Sequence, residues 1–240
     1  QVYPGLILPS SNLGLQEISG VRGSTDINEI GEFNPSVRSI AAYKAESVIV
    51  NTLRLNGILL AHTVPGGQLI AGQSSVVQLD AWNYEDAAYK TDMGMHFYMP
   101  SLLSRGGGRG FGGGRGFGLF NRTQKLFVHC DQIKQMIVAI DFVKEFGFDV
   151  VLVGASESWQ IADLLKANNI AVILTQEHSL PTTDDDDIDQ PYKAASVLQK
   201  AGVLFCLNDD DPQNRGRNLM FNAGTAAAYG LGKEGALQAI

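Results

Sequence analysis

The second half of the chain repeats one unit: a short apolar run, then apolar residues at helical spacing. "LFVHC" (Leu126 to Cys130) leads into Ile133, Met136, Ile137, Ile140 and Val143, with Gly147 as the stop. "DVVLVG" (Asp149 to Gly154) leads into a helix from about Ser156 to Ala167, carrying Trp159, Ile161, Leu164 and Leu165. "IAVILT" (Ile170 to Thr175) precedes a helix that Pro191 starts and Gly202 ends. "VLFCLN" (Val203 to Asn208) precedes a helical region from about Arg217 towards Ile240, broken near Gly230 to Gly232. Strands that are apolar on both faces and separated by helices indicate a parallel sheet covered on both sides.

The first half is less regular. It offers strands at Val2 to Leu8, Ile58 to Val64 and Val76 to Leu79, with "SVIVNTLRLNG" as a helix stopped at Asn56-Gly57. Seven strand candidates with alternating helices favour an α/β fold of the (β/α)8 type, a TIM-like barrel or most of one; a doubly wound open sheet is the alternative. Pro65 to Ser75 reads as a polar loop that could wall a pocket. The whole of 1–240 reads as one domain, interrupted by the Gly/Arg-rich run at 104–122. Glycine that dense holds neither helix nor strand, so a surface loop is expected there. RNA binding through its arginines is the competing reading. The G-x-G-x-x-G inside it (Gly108, Gly110, Gly113) lacks the strand-turn-helix context of a dinucleotide site.

A 45% hydrophobic, 18% charged composition is that of a globular chain. The net charge of −7 argues against a nucleic-acid-binding face, and no apolar run is long enough to suggest a membrane span. No signal peptide is read at Gln1, which suggests a cytosolic chain or a mature exported one. Cys130 and Cys206 read as buried, unpaired thiols.

In a barrel, reactive groups lie just past the C-terminal ends of the strands. Those positions hold Ser10, Ser11 and Asn12; His62; His129; Gly154, Ser156 and Glu157; Glu177 and His178; and Asp209, Asp210 and Asp211. A histidine and a carboxylate on separate strand ends can converge on a divalent metal and activate its water. His96, in "MGMHFYMP", reads as a packing residue. "TTDDDDIDQP" reads as a solvated acidic loop, since it lacks the spaced ligands and glycine of an EF-hand. "GASES" lacks the closing glycine of a nucleophile elbow.

Five segments carry a family resemblance: "VYPGLI", "NGILLAHTVPGGQLIAGQSSVVQLD", "FVHC", "VVLVGASESWQIADLL" and "LNDDDPQNRGRNLMFNAGTAAAYGLGKEGALQAI". Together they resemble the amidohydrolase superfamily, in its imidazolonepropionase-like branch and especially the secreted members of Bacteroidetes-type bacteria. The resemblance implies a distorted barrel of the metal-dependent hydrolase type, here lacking most of the flanking β-sandwich, with the glycine-rich run as a shortened insertion. It places the family's metal ligands at Ser10, Asn12, His129, Gly154 and Asp210, and a lysine position at Gln78. Only His129 and Asp210 keep ligand side chains; Ser10, Asn12 and Gly154 are lost positions. The site is therefore degraded, holding at most one weakly bound divalent metal such as zinc. Asp210 would be the catalytic proton shuttle, with His62, Gln78, Glu157, His178, Asp209 and Asp211 as pocket candidates. The implied activity is hydrolysis of carbon–nitrogen bonds other than peptide bonds; the alternative is an inactive binding protein that keeps the pocket. The expected partner is a small molecule in the barrel mouth, with no nucleic acid and no membrane. Apolar surface left by the missing sandwich suggests a homo-oligomer. The expected location is periplasmic or secreted.

Overall fold

The computed structural model describes residues 3–18, 20–100, 122–175, 178–181, 185–209 and 215–240. Eight strands form one sheet in chain order: β1 (Leu6–Ser11), β2 (Ile58–Thr63), β3 (Ile70–Gln78), β4 (Ala88–Tyr98), β5 (Lys125–Cys130), β6 (Val150–Gly154), β7 (Ala171–Leu174) and β8 (Phe205–Leu207). The sheet curls into a nearly closed barrel, so the doubly wound alternative is set aside. The glycine-rich run expected at 104–122 lies, but for Arg122, outside the described residues.

From β4 onward every pairing is parallel, and so is β1 with β2. β3 departs from the repeat and runs antiparallel to both its neighbours. The reason is the short connection between Thr63 and Ile70, because a parallel return needs a crossover of a dozen or more residues. This corrects two expectations. Residues 70–75 are strand, not polar loop, and β4 is an eighth strand that the sequence pattern did not offer. β4 is bent at Asp92, a non-glycine residue with φ +52°, and Arg38 clamps that carboxylate with two hydrogen bonds of 2.6 and 2.8 Å. The bend interrupts the strict alternation by which strands are recognised.

The second half follows its pattern. Helix Ile133–Phe146 ends on Gly147 and helix Gln190–Ala201 on Gly202, both glycines left-handed at φ +69° and +72°. Helix Leu219–Ala226 continues into Gly232–Gln238 across a kink at Tyr229 and Gly230. Alternate residues of β5 to β7 divide between two apolar clusters. Leu126, Val128, Leu152, Val172 and Leu174 pack outward under the helices. Phe127, Val151, Val153 and Ile173 fill the barrel interior. Neither cysteine is in a disulfide; Cys130 is buried and Cys206 partly so.

Among the described residues β8 and β1 share no strand ladder. A side chain spans the seam instead: Ser10 N–H donates to Asn208 Oδ1 at 3.1 Å. Asn208 is held in turn by its own N–H on Leu174 O (2.9 Å) and its amide on Asp209 O (2.9 Å).

Candidate functional site

The C-terminal strand ends surround a cavity of about 400 Å³. Ser10 enters it from β1, His129 from β5, Gly154 from β6, Thr175 from the end of β7, and Asn208 and Asp209 from the end of β8. Asp131, just past β5, completes the polar wall.

His129 is fixed from beneath by register. In the parallel ladder of β4 and β5, Tyr98 stands beside His129 and His96 beside Phe127. Both pairs stack, with ring centroids 3.9 and 4.8 Å apart. On the diagonal, His96 Nδ1 and His129 Nε2 share a hydrogen bond of 2.8 Å. His62 packs on the same Phe127 ring at 5.0 Å. Its Nδ1–H donates to Pro9 O (2.9 Å), which leaves Nε2 to accept from the Ser74 hydroxyl (2.6 Å). Three histidines therefore line one interior column.

Burial keeps all three neutral. It pushes His129 down to about 3, with His62 adding to the shift. It pushes His62 down to about 4, partly opposed by the Pro9 hydrogen bond. It lowers His96 well below the usual histidine range, and His129 and His62 lower it further. Burial, with Asp131 beside it, raises the Cys130 thiol to about 12, so this cavity-wall cysteine is not a thiolate nucleophile at neutral pH. Tyr98 is likewise raised to about 12 by burial, and its hydroxyl donates to Pro65 O.

The other expected site residues are dispersed. Asn12 lies past the end of β1, its carbonyl accepting from Leu15 N–H, and is not in the cavity wall. His62 is buried in the interior column rather than facing the cavity. Glu157 accepts from Ile133 N–H at 2.8 Å and so caps helix Ile133–Phe146. Gln78 donates its amide to Asp86 O, because β3 runs the other way and ends away from the mouth. His178 is exposed and hydrogen-bonded to Thr225 Oγ1 at 2.9 Å. Asp210, Asp211 and Glu177 lie outside the described residues. His96, read as packing, does pack, and it also orients His129. Only the β4–β5 register reveals that second role.

A zinc-type centre is tested by the donors present. At the β6 position Gly154 has φ +92°, and a Cβ built on it would lie 2.6 Å from Asp131 Oδ1. The Asp131 carboxyl thus occupies the space a ligand side chain would need. One nitrogen of His129 is already engaged with His96. Among the described residues no group of three or more His, Cys, Asp or Glu could hold a metal ion. These residues do not fit a catalytic zinc, which takes three protein ligands and an open position. What the cavity offers instead is a polar, mostly uncharged wall of hydroxyl, amide and imidazole groups with two aspartates.

No family model matches the sequence, and no curated protein matches it. The structure is similar to the crystal structure of an amidohydrolase from Thermotoga maritima MSB8, with a TM-score of 0.84 at 20% identity, covering 98% of this chain and 72% of that one. At that identity the likeness establishes the fold, a TIM-like barrel of the kind that amidohydrolase has.

Proposed function

We propose that this protein binds a small polar molecule in the barrel mouth without a catalytic metal, as a non-catalytic relative of amidohydrolase-type barrels. The observation that carries this reading is the close approach of Asp131 to Gly154, where a Cβ would lie 2.6 Å from Asp131 Oδ1. The backbone and a neighbouring carboxyl together fill the place of a β6 ligand, while the cavity itself stays open. Pockets of this size, with a few convergent polar groups at strand C-termini, are where such barrels bind small molecules. The sequence resemblance supports an imidazolonepropionase-like relationship, and with it a periplasmic or secreted location.

The test is a panel of small amides, cyclic amides, ureas and amino-acid derivatives, scored by saturation-transfer NMR on the wild type and on Asp209→Asn. Saturable binding that the variant weakens at least tenfold, with every bound compound recovered intact, supports the proposal. Absence of saturable binding, or turnover of any compound, refutes it.

A second reading is a hydrolase of carbon–nitrogen bonds with altered metal dependence. It is favoured by one observation: His129 and Asp209, from strands five and eight, face the same cavity. Turnover in that panel, stimulated by added zinc or manganese, would establish it in place of the first.

A further inference from the structure

His96 Nδ1 and His129 Nε2 are joined by one hydrogen bond of 2.8 Å, and one proton lies in it. Burial keeps both rings neutral, so each has one N–H and one bare nitrogen. Two arrangements satisfy this bond. In the first, His96 Nδ1–H donates to His129 Nε2; His96 Nε2 is then bare, and His129 carries its proton on Nδ1. In the second, His129 Nε2–H donates to His96 Nδ1; His96 carries its proton on Nε2, and His129 Nδ1 is bare.

The surroundings of the two outer nitrogens separate these arrangements. His96 Nε2 is sealed from solvent and has no hydrogen-bond partner. The neighbouring His62 offers it nothing, because both His62 nitrogens are taken, by Pro9 O and by the Ser74 hydroxyl. A buried backbone N–H without an acceptor is rarer in folded proteins than a carbonyl short of a donor. The same preference leaves His96 Nε2 bare and puts its proton on Nδ1. His129 Nδ1 is in the opposite situation. It is not sealed from solvent, no hydrogen bond engages it among the described residues, and its ring lines the barrel mouth. Asp131 and Asp209 line the same cavity, and negative potential there favours an N–H over a lone pair. Both conditions select the first arrangement.

We infer that His96 is a positioning residue that holds His129 as the Nδ1–H tautomer, so that the barrel mouth presents a fixed hydrogen-bond donor at the end of β5. A ligand that fits this donor brings an uncharged acceptor oxygen, a carbonyl or a hydroxyl, to His129. That last step rests on the reading of the mouth as a binding site.

The experiment is a long-range nitrogen–proton NMR correlation of the imidazole rings, on the whole ligand-free chain labelled with nitrogen-15, at pH 7.5. The spectrum distinguishes a protonated ring nitrogen from a bare one. His129 is expected with its proton on Nδ1 and a bare Nε2, and His96 likewise. A His129 protonated on Nε2 overturns the inference. His96→Phe keeps a ring on Phe127 but removes the donor. In it the two nitrogen shifts of His129 are expected to move towards each other, as both tautomers become populated. His96→Asn, whose amide N–H takes the place of Nδ1–H, is expected to restore the wild-type pattern. An unchanged His129 pattern in a folded His96→Phe overturns the inference, because a ring that only packs would leave the tautomer alone. Far-UV circular dichroism checks folding, and if His96→Phe is not folded, the wild-type spectrum and His96→Asn decide. For the ligand, 2-pyrrolidinone is expected to shift the His129 Nδ1 signal on saturation and to bind His96→Phe about tenfold more weakly. Binding that leaves the His129 ring signals unmoved overturns the acceptor assignment. The ligand-free spectrum decides the role of His96 whether or not any compound binds in the mouth, so this inference and the binding proposal fail separately.

Discussion

Lowering the pH from 7.5 to 5 perturbs the histidine column directly, because burial opposes protonation of all three imidazoles. Each of His62, His96 and His129 titrates near 6.5 when unfolded, and burial lowers His62 to about 4, His129 to about 3 and His96 in the same direction when folded. The sign follows from which state binds the proton. At pH 7.5 neither state is protonated, and the three histidines cost nothing. As the pH falls through 6.5 the unfolded chain takes up protons that the folded chain refuses, so stability is lost, and the loss continues down to the folded values near 3 to 4. At pH 5 the displacement from 6.5 is 1.5 units, or about 2 kcal/mol per histidine and about 4 kcal/mol for His62 and His129 together, with His96 shifting stability in the same direction. That is a large fraction of the whole stability of many domains. It corresponds to a fall in Tm on the order of 10–15 °C for a chain of this size. Urea unfolding at half-unit pH intervals measures it, and the slope of stability against pH should reach at least about two protons taken up on unfolding at pH 5. His96→Phe should lower that slope, since a phenyl ring can take over the stack on Phe127. Equal stability at pH 5 and 7.5, or an uptake below about one proton, would refute the buried neutral column.

Two substitutions test the strand ends. Gly154→Ala should destabilise by on the order of 1–3 kcal/mol, since φ is +92° and the new methyl meets Asp131 Oδ1. An unchanged urea midpoint would mean that Asp131 does not occupy that space. Asn208→Ala should cost about 1–2 kcal/mol by leaving Ser10 N–H without its acceptor across the seam. Asn208→Asp, which keeps an acceptor oxygen, should recover part of it, and equal losses in both would show that the seam bond contributes nothing.

The parallel half of the barrel was legible because β5 to β8 are apolar on both faces and punctuated by Gly147, Pro191 and Gly202, each doing locally what its chemistry favours. The β3–β4 pair was not. β4 alternates irregularly around Asp92, and its long-range clamp to Arg38 leaves no trace in a sequence window. The strand-end rule led to Ser10, His129, Gly154 and Asp209, which all reach one cavity. It could not separate them from Glu157, a helix cap, or from His62, an interior residue, because a residue's facing depends on bulges and register. That Asp131 Oδ1 crowds the place of a Cβ on Gly154 is a fact of three dimensions.

On the proposed reading this barrel mouth works without a catalytic metal. Elemental analysis of protein purified without chelator decides this, together with thermal stability in the presence and absence of added zinc. The expected result is metal well below one equivalent and no zinc-dependent rise in Tm. One equivalent of zinc or manganese, lost in His129→Ala while the variant stays folded, would contradict it.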